Sequence, residues 1–263
     1  MMNVSNPVSA HPRPDGAVVM YQRWRRLLFL HWEWDVAAVQ ATLPPGLSVD
    51  AWQGRAWLGV VPFRMEGVRP RFLPAVGGVS NFLELNVRTY VRDRQGRPGV
   101  WFYSLDCAQP VAVWAARAGF GLPYFHARMR ETIGVSISCE CRRQGSEETA
   151  GFDYRGLGNP APAGEGTLEQ FLVERYRLFA VRQGRLVTGE VWHEPYPIQR
   201  AEVAGWSSLP LRQAGFDPGT QPPAHAAFSP GVDVRILESN ASSSSCRRSR
   251  SVWRGCASAF SSS

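Results

Sequence analysis

The sequence predicts a strand-dominated fold in which a few short helices are set between hairpins. Three observations carry that prediction. From Asn81 to Val91, Leu83, Leu85, Val87, Thr89 and Val91 fall on one face, and Phe82, Glu84, Asn86, Arg88 and Tyr90 on the other. Period-two alternation of this length marks a strand with two chemically different sides. The tripeptide Gln-Gly-Arg occurs at 53–55, 95–97 and 183–185, each time between strand-like runs, where glycine supplies the positive φ of a tight turn. The flanking residues do not match, so the turn chemistry is reused without an internal repeat. Finally, Asp106 with Gln109 and Thr167 with Gln170 have the spacing of capping boxes, which open short helices.

In chain order, residues 1–20 form a loose arm punctuated by Pro7, Pro12, Pro14 and Gly16. A strand follows from Trp24 to Trp34, with Leu28, Leu30, Trp32 and Trp34 on one side and Leu27, Phe29, His31 and Glu33 on the other, both sides buried. Asp35 caps a short helix ended by Pro44-Pro45-Gly46. Leu47–Trp52 is expected to pair with Ala56–Met65, before a loop over Arg69–Gly78 leads into the alternating strand. Its hairpin partner is Val100–Leu105. A helix then carries Val111, Trp114, Ala115 and Ala118 on one face and stops at Gly119, Gly121 and Pro123. Ile133 to Cys141 alternates, and its two cysteines read as small buried hydrophobes. A strand over Thr149–Tyr154 precedes a loop, Arg155–Gly166, that lacks the Gly-Lys-Ser/Thr of a phosphate loop. A helix from Thr167, a hairpin of Tyr176–Arg182 with Arg185–His193, weak helix signals near Ala201 and Leu211, and a last strand over Gly231–Ile236 complete the body. Leu237–Ser263 holds eleven serines and no period. It reads either as a basic, phosphorylatable tail or as a frameshifted 3′ end, and is expected to be disordered on either reading.

Composition narrows function. The chain has 263 residues, 44% of them hydrophobic, enough for a sizeable core. The run Leu27–Leu30 is far short of the roughly 20 residues of a membrane helix, and no secretory h-region is visible, so neither membrane nor export is expected. Three cysteines in the body and two near the end make no disulfide framework, which points to a cytoplasmic, reducing setting. All 29 basic residues are arginine. Arginine stays protonated, and lysine is the side chain that supplies an amine nucleophile, so imine chemistry through a lysine is excluded. Of the net charge of +7, residues 237–263 contribute +3, leaving +4 spread along the body. Arg23-Trp24-Arg25-Arg26 is the nearest approach to a cation–aromatic cluster, and no nucleic-acid groove is expected. There is no Gly-x-Ser-x-Gly elbow, His-Glu-x-x-His or dinucleotide fingerprint, and no cofactor or metal is called for.

Several motifs occur in a set order: His31-Trp32, Leu43-Pro44, Val60-Val61-Pro62-Phe63, the strand Phe82–Val91, Gly99–Asp106, Ala116-Arg117 with Leu122-Pro123-Tyr124, Glu174-Arg175-Tyr176, and Ser229–Val234. Together they resemble the YqjF-like family, a domain of unknown function, from residue 21 to 236. That family is similar in fold to acetoacetate decarboxylase. The resemblance implies one α+β domain, a curved antiparallel sheet closing into a cone-like β-barrel around a pocket. In the decarboxylase a Pro-Lys-Lys supplies the Schiff-base lysine. The matching stretch here is Pro123-Tyr124-Phe125, so the scaffold is expected without the imine. The decarboxylase's strand glutamate corresponds to Glu84.

The candidate site is therefore the polar row of the central strand, whose consecutive members stand about 7 Å apart. Arg88 is suited to hold a carboxylate bidentately and Glu84 to act as a base. Asn86, Tyr90, Tyr103 and Tyr124 add polar donors, and Arg117 and His193 are further candidates. An ordinary solvated or salt-bridged sheet face is the competing reading of the same row. Two functions follow: a binding protein for a small organic acid or ketone-like metabolite, or a lysine-independent lyase or isomerase using Glu84 and Tyr124 for proton transfer. A structural or partner-binding domain is the weaker third, and homo-oligomerisation is left open.

Overall fold

Alternation along the sequence becomes twelve strands of one sheet in the structure, a computed structural model that describes residues 16–110, 113 and 121–238. In chain order these are β1 (Val18–Trp34), α1 (Val36–Gln40), β2 (Leu47–Val49), β3 (Ala56–Pro70), β4 (Phe82–Asp93), β5 (Pro98–Cys107), β6 (Tyr124–Ile133), β7 (Ile137–Arg143), β8 (Ala150–Ala161), α2 (Leu168–Val173), β9 (Arg177–Arg182), β10 (Arg185–Trp192), β11 (Ile198–Gly205), α3 (Leu209–Gln213) and β12 (His225–Leu237). The described residues are richer in sheet than an α+β class implies. The helix expected over Val111–Ala118, with Arg117, lies outside the described residues except for Val113, as do most of the N-terminal arm and of the serine-rich tail.

The strands run in the order β10-β9-β5-β6-β7-β8-β11-β12-β1-β3-β4-β2, with β5 also paired to β4 and β10 to β12. These two extra pairings close two rings. Seven strands (β10, β9, β5, β4, β3, β1, β12) form one, nine (β5 to β8, β11, β12, β1, β3, β4) form the other, and β12, β1, β3, β4 and β5 are common to both. Most pairs are antiparallel, but β5 runs parallel to β6 and to β9.

Each ring has its own apolar filling. Leu27, Phe29, Phe63, Phe82 and Leu105 belong to the cluster of the first, and Leu28, Leu30, Trp32, Leu85, Val87, Cys139, Cys141 and Phe152 to that of the second. The two-sided burial expected of β1 follows, and β4 is buried on both faces as well, because these strands are walls shared by two interiors. Cys139 and Cys141 are buried hydrophobes, and burial pushes the Cys139 thiol up to about 12.

Local signals hold where they are chemical. Asp35 Oδ1 accepts the Ala38 N–H at 2.8 Å, and Thr167 Oγ1 accepts that of Gln170 at 3.3 Å. Gln183 and Gly184 both take positive φ, 50° and 71°, to join β9 to β10. Other expectations fail for reasons of competition. The 47–52 segment does not pair with β3, whose two edges are taken by β1 and β4, so β2 adds to β4 instead, and only Trp52 and Arg55 bridge around the turn. Asp106 is the penultimate residue of β5, and both its carboxylate oxygens accept from Arg143, at 2.7 and 3.0 Å, while the Gln109 N–H goes to Cys107 Sγ at 3.4 Å in place of the expected cap. β8 runs on into the expected glycine loop as far as Ala161, and Gly156 lets Phe228 and Gln199 pack against its backbone, where a Cβ would come within 2.4 Å of the Phe228 ring. The segment around Ala201 is strand β11, paired to β8.

Candidate functional site

The first ring encloses a cavity of about 430 Å³. Phe82, Glu84, Asn86 and Arg88 of β4 all line it, so the polar row of the sequence is an inner wall. It is not a solvated sheet face: Glu84, Asn86 and Arg88 are 2%, 5% and 8% exposed. Around them the lining is mostly apolar and includes Leu27, Val61, Phe63, Phe102 and Leu105.

Strand irregularities decide which neighbours join this wall. On β1, Met20, Gln22 and Trp24 line the cavity and then Leu27 does, a change of parity across Arg26, which has φ 54° and a register shift beside it. Between β4 and β5, Val87 stands opposite Ser104 but Arg88 opposite Phe102, a β-bulge that leaves Tyr103 without a place in the ladder. Leu105, Phe102 and Val100 therefore face the cavity, and Tyr103 turns away. Its hydroxyl meets Thr42 Oγ1 at 2.6 Å and its ring packs on Phe216. Tyr103 therefore does not add the hydroxyl donor expected of it at the site, because the bulge turns it away.

Glu84 and Tyr124 are brought together. Tyr124 starts β6, and its hydroxyl donates to Glu84 Oε2 at 2.9 Å. Burial raises the Glu84 carboxyl to about 8, with Tyr124 opposing and the charge of Asp106 reinforcing the shift. At neutral pH Glu84 is thus mainly a neutral acid able to give a proton; it becomes a base only in alkali. Burial, with the Glu84 charge adding to it, holds the Tyr124 hydroxyl well above the usual phenol range.

Arg88 is the other focus. Its Nη2 donates to the Leu172 carbonyl of α2 at 3.2 Å, and its guanidinium carbon lies 5.5 Å from the Phe29 ring centre. Among the described residues no carboxylate pairs with it, and Arg88 Nε and Asn86 Oδ1 are buried without a hydrogen-bond partner. Tyr90 does not line the cavity, and its hydroxyl lies 2.6 Å from His31 Nε2. His31 Nδ1 meets His225 Nδ1 at 2.9 Å, and burial holds His31 well below the usual imidazole range. His193 is buried beside Trp24, Tyr176 and Tyr196, and its Nδ1 donates to the Glu194 carbonyl at 2.7 Å. It flanks the wall without lining the cavity.

Sequence reasoning passed over Arg175 and Tyr196, which both line the cavity. Glu174-Arg175-Tyr176 reads as a simple helix-to-strand junction. In fact Arg175 swings inward, giving Nη1 to Asp50 Oδ2 and Nε to the Phe171 carbonyl, both at 2.8 Å, and leaving Nη2 buried without a partner. The available signal was an arginine directly after a helix that packs on the central strand. Tyr196 sits in a proline-rich segment with no period and gave none; Glu174 Oε1 holds its backbone N–H at 2.8 Å.

Among the described residues no group of three His, Cys, Asp or Glu is placed to hold a metal, and no helix is long and apolar enough to cross a membrane. Residues 21–233 match the family DUF2071, described as an uncharacterized conserved protein. The uncharacterized protein YqjF of Bacillus subtilis is 39% identical over 192 residues, covering 72% of this chain and 79% of that protein. Among solved structures, the enduracididine biosynthesis enzyme MppR complexed with pyruvate superposes with a TM-score of 0.58 at 14% identity, over 89% of this chain and 97% of that one. Acetoacetate decarboxylase from Legionella pneumophila does so with a TM-score of 0.56 at 15% identity, over 89% and 96%. At such identities the likeness is one of fold.

Proposed function

This chain belongs to the DUF2071 family of uncharacterized conserved proteins, and from that premise we propose that its seven-strand ring is a barrel that binds a small organic acid or ketone-like metabolite. The observation that carries the proposal is Arg88: a buried guanidinium with no carboxylate partner among the described residues, next to an unpartnered Asn86 oxygen, on a cavity wall. A buried charge left unpaired is costly, and a ligand carboxylate would satisfy it through the forked geometry that arginine offers. The pyruvate named with MppR is a small 2-oxo acid, the same class of ligand. With no lysine in the chain, binding proceeds without a lysine imine.

A thermal-shift screen of the full chain against small carboxylates, keto acids and ketones tests the proposal. A ligand at 100 times its Kd stabilises by about 2.7 kcal/mol, and Arg88→Ala should remove the shift. A screen in which ketones stabilise and carboxylates never do would overturn the Arg88 assignment.

The 2.9 Å contact of Tyr124 with a Glu84 poised to about 8 favours a second reading, proton transfer to a bound carbonyl compound in a lyase or isomerase. Glu84→Gln separates the two: binding survives it, whereas turnover would be abolished.

A further inference from the structure

The cavity has two unlike ends. At one, Arg88, Arg175 and Tyr196 are buried, and Arg88 Nε, Arg175 Nη2 and Asn86 Oδ1 lack hydrogen-bond partners among the described residues. At the other, the wall is made by Met65, Val68, Leu73 and Val76, and Val76 is 51% exposed, so the cavity reaches the surface there. β4 spans the distance between them. Arg88 and Phe82 both line the cavity, and the six residue steps of strand between them span about 20 Å.

Away from the arginine pair and Asn86, the polar side chains of the lining are few: Gln22, Ser80, Arg177 and the Glu84–Tyr124 pair. Beyond Asn86 the β4 wall offers the Glu84–Tyr124 pair and then Phe82, with Leu27 and Phe63 facing them from β1 and β3. A ligand the size of pyruvate would satisfy the guanidiniums and leave most of the apolar wall uncovered. We infer that the ligand is a monocarboxylate with an extended apolar body, of the medium- or long-chain fatty-acid type, held head-first by Arg88 with its body running along Phe63 and Phe82 to the mouth beside residues 71–80. This rests on the binding role given to Arg88 above and adds the ligand's length and polarity.

The wall sets a quantitative expectation. Each methylene moved from water onto such a surface tightens binding about fourfold. Isothermal titration of the full chain with acetate, butyrate, hexanoate, octanoate and decanoate should therefore show Kd falling about 15-fold for every two carbons added. Octanol should bind at least tenfold more weakly than octanoate, and Arg88→Gln should erase that preference. Val68→Trp, at the half-buried mouth, should weaken decanoate at least tenfold more than it weakens butyrate, with an unchanged circular dichroism spectrum as the check on folding. Equal affinities across the series would overturn the extended ligand and leave a small-acid pocket standing. Octanol matching octanoate would overturn the carboxylate anchor and with it both readings, as would the absence of binding by every acid in the series.

Discussion

The two rings share a wall but are filled differently. The nine-strand side of β4 presents Leu85 and Val87 to Leu28, Leu30 and Phe152, with cysteines as further hydrophobes. The seven-strand side presents Glu84, Asn86 and Arg88 to a cavity. Buried charge occurs near both, but its treatment differs. Arg26 meets Glu131 at 3.0 and 2.9 Å, and Arg143 meets Asp106 twice, whereas Arg88 has no such partner among the described residues. On the nine-strand side these two cations are met by carboxylates of the protein, which is what stability requires. On the cavity side Arg88 Nε, Arg175 Nη2 and Asn86 Oδ1 are buried without a hydrogen-bond partner among the described residues.

The largest expected effects break the satisfied side. Asp106→Ala leaves Arg143 without its carboxylate and should cost about 3–5 kcal/mol, measured by urea unfolding. Leu85→Ala, at a position with no exposure, should cost about 2–5 kcal/mol by opening a cavity. The cavity side should respond with the opposite sign. Arg88→Met, without ligand, should raise stability by about 1–4 kcal/mol, as replacing a buried charge by a packed apolar side chain does. A large loss there would mean that Arg88 is structural.

The pH dependence sharpens the contrast. Burial raises Glu84 from 4.5 to about 8, so its contribution is complete below pH 4.5 and is lost as pH rises toward 8, at about 1.4 kcal/mol per pH unit. His31 is lowered from 6.5, so its contribution is complete above pH 6.5 and is lost as pH falls. Below 6.5 the two oppose each other; between 6.5 and 8 Glu84 acts with no counterweight from His31. Wild type should therefore lose stability across that upper interval, and Glu84→Gln should lose markedly less there. The smallest effect belongs to the surface: Arg212→Ala, whose partner Glu148 is exposed, should change stability by less than about 1 kcal/mol.

Sequence alternation was enough to find the wall and its polar row, because a strand buried on both sides still places every second residue on the same face. The caps Asp35 and Thr167 were legible for the same local reason, whereas Asp106 was drawn to Arg143 of a distant strand. What escaped depended on distant partners. Nothing local to 47–52 shows that both edges of β3 are already taken, and nothing in Tyr103 shows that a bulge opposite Arg88 will turn it outward. Arg175 joins the cavity because Asp50, far away in the chain, directs it there.

The most direct test of the Arg88 anchor is the arginine Nε–H spectrum of the ¹⁵N-labelled full chain, recorded with and without octanoate. A carboxylate seated at Arg88 should shift one buried arginine resonance downfield, and that resonance should be missing from Arg88→Gln. Octanoate binding with the Arg88 resonance unmoved would contradict a carboxylate held at this position.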